Sequence, residues 1–165
     1  MTFFKKEIRF SLALSSLSAL ALATLAVGGI TLSAPQVQAA DAVKQIKLGT
    51  KGDTLAFDQV KLTAKPKQKV KVTFKNNAGK SSGMQHNFVL VKPGTDAEVA
   101  NAGIAAGAEK NWTPASPNII AATKLANPGE SQTVEFTAPE QPGDYPFICT
   151  FPGHAALMKG VLTVK

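Results

Sequence analysis

The segment KVKVTFK, Lys69 to Lys75, alternates apolar with polar or charged side chains without a break. Successive side chains of a β-strand point to opposite faces. This period therefore sets Val70, Val72 and Phe74 on a buried face and Lys69, Lys71, Thr73 and Lys75 on a wet one. Related patterns recur between clusters of turn residues. Val43, Ile46 and Leu48 lead into a turn at Thr50–Asp53, and Leu55, Phe57, Val60 and Leu62 form a broken pattern that predicts a bulge or bend. NNAGKSSG, from Asn76, reads as a loop. HNFVLV, His86 to Val91, reads as a continuous apolar strand after its polar start, and Ile119 to Lys124, SQTVEFT, DYPFIC and GVLTVK read as further strands. Between Thr95 and Lys110 the pattern changes to a short helix, DAEVANAGIAAGAEK, capped by Thr95 or Asp96, weakened by Gly103 and Gly107, with Val99 and Ile104 as inward residues. The expected fold is all-β: a two-sheet antiparallel sandwich of seven to eight strands with Greek-key connections and one short helical insertion.

The amino terminus is a different kind of sequence. Lys5, Lys6 and Arg9 precede an uncharged run from Phe10 to Leu32, and Val37 and Ala39 occupy the small-residue positions of a cleavage site. This is the pattern of a secretory signal peptide over residues 1–39. A run of 23 residues is also long enough to span a bilayer, so an uncleaved anchor is the competing expectation. Cleavage is favoured because the run is rich in Ser, Ala and Thr. Residues 40–165 are then one domain, with 15 Lys, no Arg and 10 acids. Export and the lack of Arg argue against nucleic acid as a partner. The excess of lysine fits solubility and docking to an acidic surface.

An exported chain with a single cysteine has no internal disulfide. That cysteine is then an inert buried thiol, an intermolecular link, a reactive group or a metal ligand. Its surroundings favour the last. CTFPGHAALMKG places Cys149, His154 and Met158 in one loop, turned by Pro152-Gly153, and His86 opens another strand. Two imidazoles, a thiolate and a weak thioether are the donor set of a blue-copper centre. A structural zinc site uses four Cys or His ligands, and methionine serves zinc poorly. Thiol catalysis by Cys149 and His154 would need a cleft and an oxyanion donor, for which there is no signature.

CTFPGHAALMKGVLTVK strongly resembles the copper loop of azurins, and GMQHNFVLV resembles the first-histidine strand of azurins and auracyanins. The resemblance extends through QIKLGTKGDTLAFDQ and AATKLANPGESQTVEF. It implies a cupredoxin sandwich holding one copper ion (Cu+/Cu2+), with His86, Cys149 and His154 as equatorial ligands and Met158 as axial ligand. It also implies that the backbone carbonyl before the first histidine approaches the metal. Glycine is usual at that position, whereas this chain has Gln85, whose side chain can shift the carbonyl, so that contact is expected to be weak. By the same resemblance Asn87 ties the two ligand loops together, and the amides of Asn87 and Phe151 donate to the cysteine sulfur. Three departures stand out. The azurin disulfide is missing, Ala122 replaces a histidine, and Phe88 replaces a buried tryptophan.

The function implied is one-electron transfer without substrate chemistry, through His154, with Met84, Phe151, Pro152, Ala155 and Ala156 as an apolar docking patch. The expected partner is a redox protein such as a c-type cytochrome, a photosynthetic complex or a terminal reductase or oxidase, met by a monomer in transient complexes in the periplasm or an equivalent lumen. The competing function is copper handling, as a chaperone or store. A rigid four-ligand site releases its ion too reluctantly for easy handover, which favours the carrier.

Overall fold

The computed structural model describes residues 42–165; the signal-peptide expectation falls on residues outside that range. Among the described residues, eight strands form two sheets. The smaller contains β1 (Lys44–Gly49), β3 (Lys69–Lys75) and β6 (Ser131–Thr137), in the order β1-β3-β6. The larger contains β2 (Lys61–Ala64), β4 (Val89–Val91), β5 (Ile119–Ala122), β7 (Gly143–Ile148) and β8 (Lys159–Val164), in the order β2-β8-β7-β4-β5. The sandwich is mixed and not purely antiparallel: β1 runs parallel to β3 and β2 parallel to β8. The physical reason is the connectivity. The chain crosses from one sheet to the other after β1 and again after β2, so β3 returns beside β1 in the same direction.

The alternation in β3 does what its period requires. Val70, Val72 and Phe74 are buried, and Lys71 pairs with Glu135 of β6 at 2.9 Å on the opposite face. Ile46, Leu48, Leu62, Phe88, Leu90 and Phe147 complete the core between the sheets. Phe147 meets both Phe57 and Phe88, with ring centroids 5.0 and 5.4 Å apart. The bend expected around Leu55 to Val60 is present, closed by a bridge between Thr50 and Phe57.

The apolar run around β4 is explained by burial on both faces. Phe88 and Leu90 point into the sandwich, while Val89 and Val91 join Ile148 beneath the helix α1 (Asp96–Ala106). The ladder itself is shorter than expected. His86 makes only an isolated bridge to Ala126, because the Thr123 hydroxyl accepts the Phe88 N–H at 3.0 Å in place of a strand carbonyl.

In α1, Val99 is buried as expected, whereas Ile104 is 52% exposed. Five residues advance a helix by about 500°, which sets Ile104 roughly 140° away from Val99. The partner of Val99 on the inner face is Gly103, which is buried. Gly103 is thus a packing contact, and Gly107, at φ 76°, ends the helix before a 3-10 turn at Ala108–Lys110. Thr95 occupies the N-cap position without a side-chain cap; its hydroxyl donates to the Lys92 carbonyl at 2.8 Å. Asp96 and Glu98 favour the first turn through the helix dipole.

Gly160 of β8 lies opposite Phe147 of β7, and a Cβ there would overlap the Phe147 ring. Gly160→Val is expected to destabilise the fold by about 1–3 kcal/mol through overpacking, read as a lower urea midpoint. An unchanged midpoint would contradict this packing.

Candidate metal centre

Three chain segments meet at one end of the sandwich. The stretch before β4 supplies His86, the end of β7 supplies Cys149, and the 3-10 turn His154–Ala156 before β8 supplies His154. Their donor atoms converge. His86 Nδ1 lies 3.2 Å from His154 Nδ1, and the Cys149 Sγ lies 3.8 and 3.6 Å from those two nitrogens. Among the described residues this is the one group of three or more His, Cys, Asp or Glu side chains arranged to hold a metal ion.

The loop is closed by its own backbone. The Cys149 N–H donates to the Met158 carbonyl at 3.1 Å, and the His154 carbonyl accepts the Met158 N–H at 2.8 Å. The His154 N–H donates to the Phe151 carbonyl at 3.0 Å, across the turn made by Pro152 and Gly153, the latter at φ 81°. These bonds hold the three residues of Cys-x4-His-x3-Met in one compact turn. Met158 is fully buried beside Cys149 in the core cluster.

Asn87 bonds across the segments. Its Oδ1 accepts the Thr150 N–H at 2.9 Å, and its Nδ2 donates to the hydroxyls of Thr150 at 2.8 Å and Thr113 at 3.2 Å. The backbone amides of Asn87 and Phe151 both face the Cys149 sulfur. Gln85 turns its side chain outward, donating to Asn127 Oδ1 at 2.6 Å.

One supporting residue escaped the sequence reading. Asn76, fully buried after β3, donates through Nδ2 to the carbonyls of Met84 at 2.8 Å and Ala126 at 2.9 Å. Ala126 in turn exchanges both backbone bonds with His86. A buried asparagine therefore ties β3 to the wall that carries His86. The only signal was its place in the polar run NNAG, which reads as an ordinary loop.

Electrostatics favour neutral donors while no cation is bound. Burial, aided by the neighbouring charge of His154, lowers His86 to about 4, and burial also lowers His154. Burial pushes the Cys149 thiol up to about 11, against the pull of the Asn87 and Phe151 amides. His86 Nε2 is buried and has no hydrogen-bond partner among the described residues. Packing and the contacts of Nδ1 therefore set the orientation of that ring.

Exposure divides the residues of the expected docking patch. Met84, Phe151, Pro152 and Ala155 are half-buried and Ala156 is exposed. Ala155 also packs toward the small cluster beneath α1. Leu157, left out of the expected patch, is 70% exposed and is the most exposed large apolar side chain among the described residues. Its place between His154 and Met158 was the available clue.

Two imidazole nitrogens and a thiol, converging in a water-poor pocket at the end of a β-sandwich, fit a mononuclear copper protein. Imidazole accommodates Cu(II), and thiolate and thioether stabilise Cu(I). Comparison with known proteins agrees. Residues 44–165 match the family model described as copper binding proteins, plastocyanin/azurin family. Auracyanin-A of Chloroflexus aurantiacus is 43% identical over 157 residues, covering 93% of this chain and 94% of that protein. Azurin of Pseudomonas fluorescens biotype C is 42% identical over 85 residues, 50% of this chain and 66% of the azurin. The solved structure of auracyanin A, described as a "blue" copper protein of the same Chloroflexus species, covers 73% of this chain and 98% of its own, at 48% identity and a TM-score of 0.69. The chain belongs to the plastocyanin/azurin family of copper-binding proteins, a cupredoxin whose cofactor is one copper ion.

The pKa directions give a pH test. With His86 at about 4 in the folded metal-free protein and about 6.5 unfolded, the unfolded chain binds more protons between those values. Stability of the metal-free protein should therefore fall as pH drops from about 6.5 through 4. With the thiol at about 11, a metal ion held through the Cys149 sulfur at neutral pH would displace its proton. Calorimetry in buffers of different ionisation enthalpy should find about one proton released per ion bound. Zero release would contradict a protonated, buried thiol.

Proposed function

We propose that this chain is an exported one-electron carrier in which His86, Cys149, His154 and Met158 would hold the copper ion. Its membership of the plastocyanin/azurin family of copper-binding proteins supports this reading. Bound copper supplies the Cu(I)/Cu(II) couple. The protein's own contribution is to hold the donors in one arrangement for both charge states, to exclude water and to provide a way out for the electron.

One observation carries this reading. His86, Cys149 and Met158 have no exposed surface, whereas His154 keeps 7% of its surface exposed. A partner can therefore reach the centre most directly through the His154 ring. Around it, Met84, Phe151, Pro152, Ala155 and Ala156, extended by the exposed Leu157, offer an apolar surface suited to a small and quickly released contact. The amides of Asn87 and Phe151 spread the thiolate charge, which together with the apolar surroundings of the sulfur sets the potential. The lysine excess of residues 40–165 steers the carrier toward an acidic redox partner, such as a c-type cytochrome, a photosynthetic complex or a terminal reductase or oxidase, in a salt-sensitive way.

Residues 1–39 are proposed to be a signal peptide, delivering residues 40–165 to the periplasm or an equivalent lumen. Among the described residues no helix is long and apolar enough to cross a membrane.

The copper-loaded, oxidised protein should be intensely blue, and Cys149→Ser should bleach it while leaving the strand content seen by circular dichroism unchanged. A wild-type protein that binds copper without colour would contradict the assigned ligand set.

A further inference from the structure

The connector between α1 and β5 carries Trp112, the chain's single tryptophan. Asn111 and Trp112 lie consecutively in the left-handed region, at φ 54° and 53°. Bulky residues avoid that conformation unless their surroundings impose it, and such residues gather where a side chain must be aimed. Here the turn is held by backbone bonds. Asn111 donates to the Ala108 carbonyl at 2.9 Å, Trp112 to Gly107 at 3.0 Å and Thr113 to Lys110 at 3.0 Å. The Trp112 carbonyl presses on the glycine face of α1, where a Cβ on Gly103 would sit 2.6 Å away. The next residue, Thr113, accepts the bond from Asn87 Nδ2 that also reaches Thr150.

The strained turn aims the indole at the copper loop. Trp112 meets Phe151 edge-on, with ring centroids 6.0 Å apart and planes at 69°. Phe151 lies against His154, at 4.7 Å and 40°. The indole is half-buried, so it fixes the outer side of Phe151 while the core holds the inner side. Among the ring contacts of the described residues, this is the one series that runs from a surface loop to a donor imidazole.

We propose that Trp112 is a positioning residue for the electron port: it clamps the Phe151 ring and, through it, holds the His154 imidazole still as the charge at the centre changes. This rests on the reading of His154 as the port. A clamped ring needs less rearrangement at each transfer, so the clamp acts on rate more than on copper retention.

The test compares copper-loaded wild-type protein with Trp112→Leu, Trp112→Phe and Gly103→Ala. Electron self-exchange is measured by nuclear magnetic resonance line broadening, and the copper hyperfine splitting by electron paramagnetic resonance. Trp112→Leu should keep the blue colour and the reversible wave while self-exchange falls by roughly three- to tenfold, the span that loss of one aromatic edge contact implies at a barrier. Its hyperfine splitting should change, and Trp112→Phe should restore both. Gly103→Ala should slow exchange in the same direction, because its Cβ must displace the Trp112 backbone without altering the indole. Trp112→Leu with wild-type exchange and splitting, even at a lower unfolding midpoint, overturns the proposal. If Trp112→Leu does not fold, wild-type exchange in Gly103→Ala overturns it instead. A wild-type protein with neither blue colour nor a wave overturns the carrier reading itself, and this proposal with it.

Discussion

The side chain of Asn87 is the interaction on which the site depends. Its carbonyl oxygen and amide close a two-point bond with Thr150, the residue after Cys149, and the same amide reaches Thr113. One buried side chain thereby ties three segments together: the wall of His86, the loop of Cys149 and the exit of the helical insertion. The bond is fully desolvated, so breaking it would leave buried donors and acceptors unpaired, at about 1–3 kcal/mol each. Without a disulfide, this lock and the Cys149–Met158 backbone pair hold the two sides of the centre in register.

Copper-handling and electron-carrying proteins ask opposite things of a site. Handover requires ligands that open, whereas electron exchange requires ligands that stay. The donors here lie in a pocket where both imidazoles are biased toward the neutral form and the sulfur faces two backbone amides. His86, Cys149 and His154 each sit in a turn or strand end fixed by backbone bonds, not on a mobile stem. Such a site favours retention. Beside it, His154 keeps 7% of its surface exposed and Leu157 70%, so apolar surface lies next to the centre without loosening that arrangement.

Much of the fold was legible because strand periodicity is a local signal. The alternation of β3 and the near-continuous apolar run at β4 follow directly from one-sided and two-sided burial. The meeting of His86, Cys149 and His154 was legible because the residue types are scarce and their chemistry is narrow. Parallel pairing was not, since it depends on where the chain crosses between sheets. Ile104 was misplaced because apolar content, and not angular position, suggested it; the helix instead packs through the bare face of Gly103. The contacts of Asn76 and Trp112 were not legible because they are made with partners far away in the chain, and a loop asparagine or a lone tryptophan has no periodic signature.

An electron carrier has to keep its ion in one rigid site through both charge states. Cycling the copper-loaded protein at an electrode in the presence of excess Cu(I) chelator, with voltammetry and bound copper followed together, distinguishes a carrier from a protein that hands copper on. A carrier should give a reversible one-electron wave of constant amplitude and full retention of copper over repeated cycles. Loss of copper to the chelator on reduction, with decay of the wave, would contradict it and mark the protein as one that hands its copper on.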